Sequence, residues 1–254
     1  MIRVLVNGAL GRMGRTVVAA VNDDSELELV GAVDAFEGEV GGMKVETDLD
    51  AALKRLTPDV MVDFTRPNVV FDSVMTALAN KVSPVVGTTG LSDEAKEKIR
   101  ARAEENQTPA FIAPNFALGA VLMMLAAQRI AKYMPDVEII ELHHDNKLDA
   151  PSGTAELTAK MISEVRPSHR QGHPEEVERL AHVRGADFDG IRIHSVRLPG
   201  YVAHQEVIFG GLGQTLTIRH DSTGRDSFMP GVVLACKKVR SLKGLTIGLD
   251  KILD

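Results

Sequence analysis

Cysteine is all but missing. Cys236 is the single one among 254 residues, so the chain can close no internal disulfide and cannot build a cysteine-rich zinc site. Long apolar runs are missing too. The most apolar, Ala117 to Ala127, falls well short of the ~20 residues a helix needs to cross a bilayer and reads as a buried helix, so no membrane partner is expected. The opening Met-Ile-Arg-Val-Leu-Val lacks the layout of a secretory signal, which makes the cytoplasm the expected compartment. Neither sign of charge dominates. Lys and Arg total 29 against 35 Asp and Glu, a net charge of −6 with no basic block, which argues against nucleic acid. The eight histidines contain no His-Glu-x-x-His pair. His143 and His144, adjacent on a strand, would point to opposite faces, so no catalytic metal is expected. His169 and His173 stand four apart in a stretch broken by Gly172 and Pro174 and read as solvated loop residues. His194, His204 and His220 fall within strands as hydrogen-bonded structural side chains, though one could face a ligand.

What is present is concentrated in Glu141-Leu-His-His-Asp-Asn-Lys-Leu-Asp-Ala-Pro-Ser-Gly-Thr154. Val137, Ile139 and Ile140 predict a strand ending near His143, and Ala155, Leu157, Met161, Ile162 and Val165 recur as one face of a helix over 154–165. The polar cluster therefore sits at a strand-to-helix junction. Pro151 is expected in the first helical turn and Ser152 or Asp149 as its cap, with N–H groups near Gly153 and Thr154 forming a cradle for a carboxylate or phosphate. Gly153 lets a ligand approach the backbone. The chemistry suits an anionic substrate that must be protonated. The Ser152 hydroxyl has no base in a nucleophile-elbow context, which argues against acyl transfer.

The first half follows a different pattern. The apolar strand Ile2 to Val6 runs into Asn7-Gly-Ala-Leu-Gly-Arg-Met-Gly14 and a helix from Arg15 to Val21. Glycines there permit a tight turn, contact with a pyrophosphate and close packing of helix on strand. The spacing is Gly-x-x-Gly-x-x-Gly, a variant of the usual fingerprint. A second strand, Leu27 to Val33, ends in Asp34, where an acid is expected to hold ribose hydroxyls. Then come helix 48–56, strand 60–64, helix 67–80, strand 84–86, helix 92–105 and strand 110–113. This βα alternation predicts an α/β, Rossmann-like, doubly wound parallel sheet. Beyond its carboxyl ends, Phe64-Thr-Arg-Pro67, Gly87-Thr88-Thr89-Gly90 and Ala113-Pro114-Asn115-Phe116 would share one rim lining the nicotinamide end of a dinucleotide. Plainer readings exist: Thr65 starting a helix, Gly90 as turn punctuation, Asn115 capping a helix over 116–134.

After that helix strands dominate, at 137–142, 191–198, 202–209 and 214–220, predicting an α+β domain with a mostly antiparallel or mixed sheet. Residues 166–190 read as a long loop that could move. A last helix, 226–240, is expected to return to the first domain. The domains so drawn are 1–114 for the dinucleotide, 115–224 for substrate and oligomerisation, and 225–254 as the returning segment.

Together these residues resemble the 4-hydroxy-tetrahydrodipicolinate reductases, also called dihydrodipicolinate reductases, over nearly the full chain. The most specific element is Glu141-x-His-His-x-x-Lys-x-Asp-Ala-Pro-Ser-Gly-Thr-Ala155; Gly8-x-x-Gly11-Arg-Met-Gly14, Gly87-Thr-Thr-Gly90, Ala113-x-Asn-Phe116 and His194-Ser-Val-Arg197 accompany it in the expected order. The resemblance implies NAD(P)H-dependent reduction of a cyclic dicarboxylate, 4-hydroxy-tetrahydrodipicolinate, with loss of water, in diaminopimelate and lysine biosynthesis. It implies a homotetramer built on the central sheet, and domain closure about hinges near Asn115 and Thr223. By the same resemblance Gly8, Ala9, Leu10, Gly11, Arg12 and Met13 cradle the pyrophosphate and Asp34 holds the adenosine ribose. Gly87, Thr88, Thr89, Ala113, Pro114, Asn115 and Phe116 lie on the nicotinamide side. His143 and Lys147 correspond to the catalytic pair, and His144, Ser152, Gly153 and Thr154 to substrate contacts. Hydride arriving at C4 of the ring demands a proton from His143 or Lys147, and the residues alone leave that choice open. Some relatives carry an arginine directly after the ribose acid. Here Ala35 and Phe36 follow Asp34, which disfavours a 2′-phosphate and leans toward NADH, with Arg12 a possible route to NADPH. The turn Leu198-Pro-Gly-Tyr201 also varies in the family, which bears on interface detail. An imine-reducing amino-acid dehydrogenase would not need Pro151-Ser-Gly-Thr154 behind His-His, and a dinucleotide-sensing regulator would predict decay of the second half.

Overall fold

A computed structural model describes residues 1–167, 169 and 171–253. Ser168 and Arg170 of the expected loop, and Asp254 of the returning segment, lie outside the described residues. The chain divides into two units, Met1–Leu118 with Arg225–Asp254, and Gly119–Gly224.

In the first unit β1 (Ile2–Asn7), α1 (Arg12–Asp23) and β2 (Leu27–Val33) are followed by a hairpin of β3 (Gly38–Val40) and β4 (Met43–Val45). Then come α2 (Leu49–Leu56), β5 (Val60–Asp63), α3 (Val70–Ala79), β6 (Ser83–Val86), α4 (Asp93–Glu105) and β7 (Ala110–Ile112). In the second unit lie α5 (Leu118–Ala131, its first residue in the first unit), β8 (Asp136–His143), α6 (Gly153–Ser163), β9 (Ala186–Phe188), β10 (Ile191–Arg197), β11 (Ala203–Gly211) and β12 (Gln214–Ser222). The chain then adds α7 (Met229–Lys238) and β13 (Leu245–Ile247) to the first unit.

Strands β5 and β6 are buried at every position, as expected for parallel strands covered on both faces. The six-stranded sheet runs β13-β7-β6-β5-β1-β2 with every pair parallel. Because the chain steps outward from β1 to β2 and then back to β5, the order reverses between β1 and β5, which is where such sheets open a ligand crevice. Helix starts are set by short polar side chains: Asp48 accepts from the Ala51 N–H and Ser92 from the Ala95 N–H. Val70, Val74 and Leu78 of α3 pack with Val86, Ile99, Ile112 and Leu245, each large aliphatic so buried contributing about 1.5–3 kcal/mol.

Several boundaries differ from expectation for local reasons. Helix α3 begins at Val70 rather than Pro67 because the Arg66 carbonyl accepts from both Val69 and Val70 N–H, and Thr65 does not open the helix because Asp63 holds it. Asn115 stands three residues before α5. Its Oδ1 accepts from the Ala117 N–H at 2.8 Å, an Asx turn that delays the helix to Leu118. The last helix is α-helical only over Met229–Lys238, with 3-10 turns at Arg225–Phe228 and Val239–Ser241. The β3–β4 hairpin was not anticipated, although Gly41 and Gly42, at φ +57° and +76°, are the residues that a two-residue turn with both φ positive demands.

In the second unit the sheet order is β12-β11-β8-β10-β9. Strand β8 is antiparallel to β11 but parallel to β10, so the sheet is mixed. A parallel neighbour requires a crossover, and α6 supplies it. The stretch 166–190 is strapped to the start of β8 and contains β9. Arg166 donates to the carbonyls of Pro135 and Asp189 at 2.8 and 2.6 Å, and the Gln171 side chain bonds both N–H and C=O of Val137. His169 is not merely solvated: Nε2 lies 2.7 Å from Asp136 Oδ1. Among the described residues no helix is long and apolar enough to cross a membrane.

Candidate active site

In the first unit, β1 ends in a turn that only glycine can make. Gly8 has φ +81°, and a Cβ there would lie 2.6 Å from the Phe64 carbonyl oxygen. A Cβ on Gly14 would lie 2.0 Å from the Gly8 oxygen, so the first turn of α1 presses directly onto the loop. Much of that loop's hydrogen-bonding capacity is already used. Gly8 and Ala9 N–H donate to Val33, Gly11 N–H to Gly8, and Leu10 N–H to Asp34 Oδ2 at 2.8 Å. The N–H groups without an intrahelical acceptor are those opening α1, from Arg12 onward. That helix has no acidic residue in its first turn and no side-chain cap, so its positive end is open to an anion. A glycine cradle that any Cβ would fill, an uncapped helix start and a neighbouring acid fit a dinucleotide pyrophosphate and ribose. Asp34, also bonded to the Ala35 N–H at 2.7 Å, thus clasps the glycine loop, a task the sequence did not disclose.

Around the switch point the strand ends are tied by Asp63, fully buried at the end of β5. It accepts from the Thr65 N–H and hydroxyl, the Thr88 hydroxyl and Asn7 Nδ2, at 2.8–3.1 Å. Burial pushes its carboxyl up, against the pull of these bonds. Phe64 fills the space beside Gly87, where a Cβ would lie 2.2 Å from its ring, and its centroid is 6.0 Å from that of Phe116. The segments after β1, β5, β6 and β7 therefore meet. Within them Thr88, Ala113 and Phe116 are buried, whereas Thr89 and Pro114 are exposed.

The second unit gathers the polar run. Strand alternation puts Glu141 and His143 on one face of β8, and the register with β10 sets Ser195 opposite Glu141 and Arg197 opposite His143. Glu141 is fully buried. It accepts from Arg197 Nη1 and Nη2 at 2.9 and 2.7 Å, from the Ser152 N–H at 3.3 Å, and in a short contact from His143 Nδ1. Burial alone would raise its carboxyl; bonds from His143, Arg197 and Ser195 outweigh that and bring it down to about 2. An ionised carboxylate only accepts, so Nδ1 of His143 carries the hydrogen and Nε2 is left for other partners. Arg197 Nη2 also donates to the Asp149 carbonyl at 2.7 Å. Lys147 Nζ holds both Asp149 carboxylate oxygens, at 2.7 and 2.9 Å, and this bond keeps the Asp149 carboxyl below its usual range. A continuous path thus joins His143, Glu141, Arg197, Asp149 and Lys147.

Ser152 is the N-cap of α6, its Oγ accepting from the Ala155 N–H at 3.2 Å. Pro151 lies outside the helix, before that cap, rather than in the first turn. Gly153 is exposed, and a Cβ there would meet nothing within 4 Å, so backbone is accessible at the helix start. His144 is exposed. The other strand histidines join none of this: His194 bonds Glu138 at 2.8 Å, His204 bonds Asp221 at 2.5 Å, and the His220 ring packs on Gly119. Sequence reasoning gave no role to Glu141, Arg197 or Asp63. Glu141 was discoverable as the residue two before His143 on an alternating strand; the Arg197 pairing depends on register.

A doubly wound sheet with a glycine turn at its switch point, in one chain with a mixed-sheet unit carrying a carboxylate-anchored histidine, defines a nicotinamide-dependent oxidoreductase of two units. Residues 2–116 match the family model described as dihydrodipicolinate reductase, N-terminus, and residues 119–253 the one described as dihydrodipicolinate reductase, C-terminus. The chain belongs to the dihydrodipicolinate reductase family. It is 53% identical over 264 residues to a 4-hydroxy-tetrahydrodipicolinate reductase of Desulfitobacterium hafniense, covering 100% of this chain and 99% of that one. It is 54% identical over 263 residues to the enzyme of the same name from Geobacillus kaustophilus, with the same coverage. A solved structure, dipicolinate-bound dihydrodipicolinate reductase from Paenisporosarcina sp. TG-14, superposes with a TM-score of 0.93 at 49% identity, covering 100% of both chains. The family places this oxidoreductase in diaminopimelate and lysine biosynthesis.

Proposed function

We propose that this chain reduces 4-hydroxy-tetrahydrodipicolinate to tetrahydrodipicolinate with loss of water, its first unit holding NAD(P)H and its second holding and protonating the dicarboxylate. The observation that carries the reading is the Glu141-anchored His143 beside an open helix start at Gly153. The relative from Paenisporosarcina is bound to dipicolinate, a planar ring with two carboxylates. Such a ligand needs N–H and cationic partners at its ends, and the α6 start, Lys147 and exposed His144 supply them here. Ser152, buried where it caps α6, contributes through that helix start. Loss of the 4-hydroxyl together with a hydrogen from the carbon next to the imine releases water and leaves a conjugated ring, to whose C4 the nicotinamide, when bound, supplies hydride. Electron density then moves toward C3 and the ring nitrogen, and His143, protonated at Nε2, delivers the proton that completes reduction. Lys147, held by both oxygens of Asp149, is better placed to orient a carboxylate than to lose a proton.

In the first unit the opening of α1 at Arg12 and Met13 binds the pyrophosphate, shaped by Gly8 through Gly11. Asp34 takes the ribose, and Gly87, Thr89 and Ala113 through Asn115 line the nicotinamide side, supported by Thr88 and Phe116. With no arginine after Asp34 the chain favours NADH. We place it in the cytoplasm as a homotetramer. The nine-residue edge strand β12, exposed along most of its length, supports assembly, since such an edge is a template for pairing unless covered.

The test is oxidation of NADH and NADPH with freshly condensed product of pyruvate and aspartate semialdehyde. Product-dependent oxidation with higher kcat/KM for NADH is expected. No oxidation with either cofactor overturns the function, and a strong NADPH preference overturns only the lean. Asp34→Ala should raise cofactor KM by roughly 10-fold or more, since bonds to charged groups are worth about 1.5–3 kcal/mol, while kcat changes little. An unchanged cofactor KM would remove Asp34 from the ribose.

A further inference from the structure

We infer that Glu141 is a positioning residue for this reduction, acting through His143: its carboxylate captures the Nδ1–H of the imidazole and so presents Nε2 to the substrate. The inference rests on His143 being the proton donor. Glu141 is wholly inaccessible, so it cannot touch a ligand and can act only through neighbours. A neutral imidazole has two tautomers, and a partner at Nδ1 that accepts without donating selects the one with its hydrogen there. Glu141 is such a partner, and it cannot swing aside, because Arg197 grips it with Nη1 and Nη2. The same carboxylate takes the Ser152 N–H at the cap of α6. One buried group therefore references both the ring that gives the proton and the helix start that receives the dicarboxylate. Carboxylates that orient a histidine in this way around metals and nucleophiles are worth one to several orders of magnitude in activity.

A glutamine at this position has nearly the same shape but offers both an oxygen and an amide NH2, so it no longer selects a tautomer. The experiment is a cycle of Glu141→Gln, His143→Gln and the double variant, read as kcat and as cofactor KM. Glu141→Gln alone should lower kcat by about 10- to 100-fold with cofactor KM unchanged. In the His143→Gln background the same change should cost less than about 3-fold, because two residues acting as one unit are not additive. Histidine-selective 15N spectra give a second readout: His143 in its neutral form should carry its hydrogen on Nδ1 in the native chain, and on Nε2 or both in Glu141→Gln. Should Glu141→Gln fail to fold through the stranded Arg197, Glu141→Gln with Arg197→Gln removes both charges and is put through the same cycle. Equal losses in both backgrounds, or an unchanged tautomer, overturn the inference. Normal turnover in His143→Gln instead overturns the proton-donor reading on which it stands.

Discussion

Substituting His143 by glutamine is expected to lower kcat by about 10²–10⁴-fold, the usual contribution of a positioned acid or base, while NADH affinity stays near that of the native chain. The asymmetry follows from location. His143 ends β8 in the second unit, far in sequence from the glycine loop, and its Nδ1 is already committed to Glu141. On the proposed reading the lost group is the proton source, so the chemical step suffers. Lys147→Ala should behave differently, raising substrate KM as well as lowering kcat, because it frees Asp149 to repel a carboxylate where an ammonium had attracted it. Steady-state NADH oxidation under saturating conditions separates the two. Turnover of His143→Gln within a few-fold of the native value would remove the histidine from the chemistry.

The second large effect concerns stability. Glu141 lies at about 2 in the folded chain against an ordinary 4.5, a depressed carboxyl. A depressed group stabilises the fold fully above its unfolded value and loses that contribution as pH falls through the folded one. The window here runs from about pH 4.5 down to about pH 2, and the contribution is on the order of 3 kcal/mol at ~1.4 kcal/mol per unit. Arg197→Met takes away the guanidinium that makes the buried charge tolerable. Breaking a buried pair on one side typically costs about 3–5 kcal/mol, so the variant should lose that much at neutral pH. His143 still holds Glu141 in the variant, so the urea midpoint at pH 7, read against that of the native chain, measures what the guanidinium contributes. At fixed protein concentration, a neutral-pH stability within about 1 kcal/mol of native, the range of a surface pair, would show that Arg197 is not the counter-ion that Glu141 requires.

Legibility in the sequence tracked how local the physics was. Strands β5 and β6, buried on both faces, announce themselves as short apolar runs, and Asp48, Ser92 and Ser152 mark helix starts within three residues of the N–H they receive. The run from Glu141 to Thr154 was likewise locatable at a strand-to-helix junction. What could not be read was whatever depends on pairing at a distance. Arg197 meets Glu141 across 56 positions because β10 lies parallel to β8 in one register, and neither orientation nor register is written in either strand. The expected mostly antiparallel or mixed sheet is mixed, and which of its pairs is parallel was hidden for the same reason. Asp63 lies in an otherwise apolar strand, and only the convergence of Asn7, Thr65 and Thr88 on it reveals a hub. Even the glycine loop concealed that most of its own donors face inward.

The grip of Asp34 on the Leu10 N–H constrains anyone wishing to re-engineer coenzyme choice. Under the role proposed for Asp34, deleting the acid to admit a phosphorylated ribose also unfastens the turn proposed to shape the diphosphate pocket, so a bare Asp34→Ala route trades selectivity for a loosened binding loop. Asn or Ser, which keep an oxygen for Leu10 while shedding the negative charge, are the sounder starting points, with an added cation introduced at Ala35.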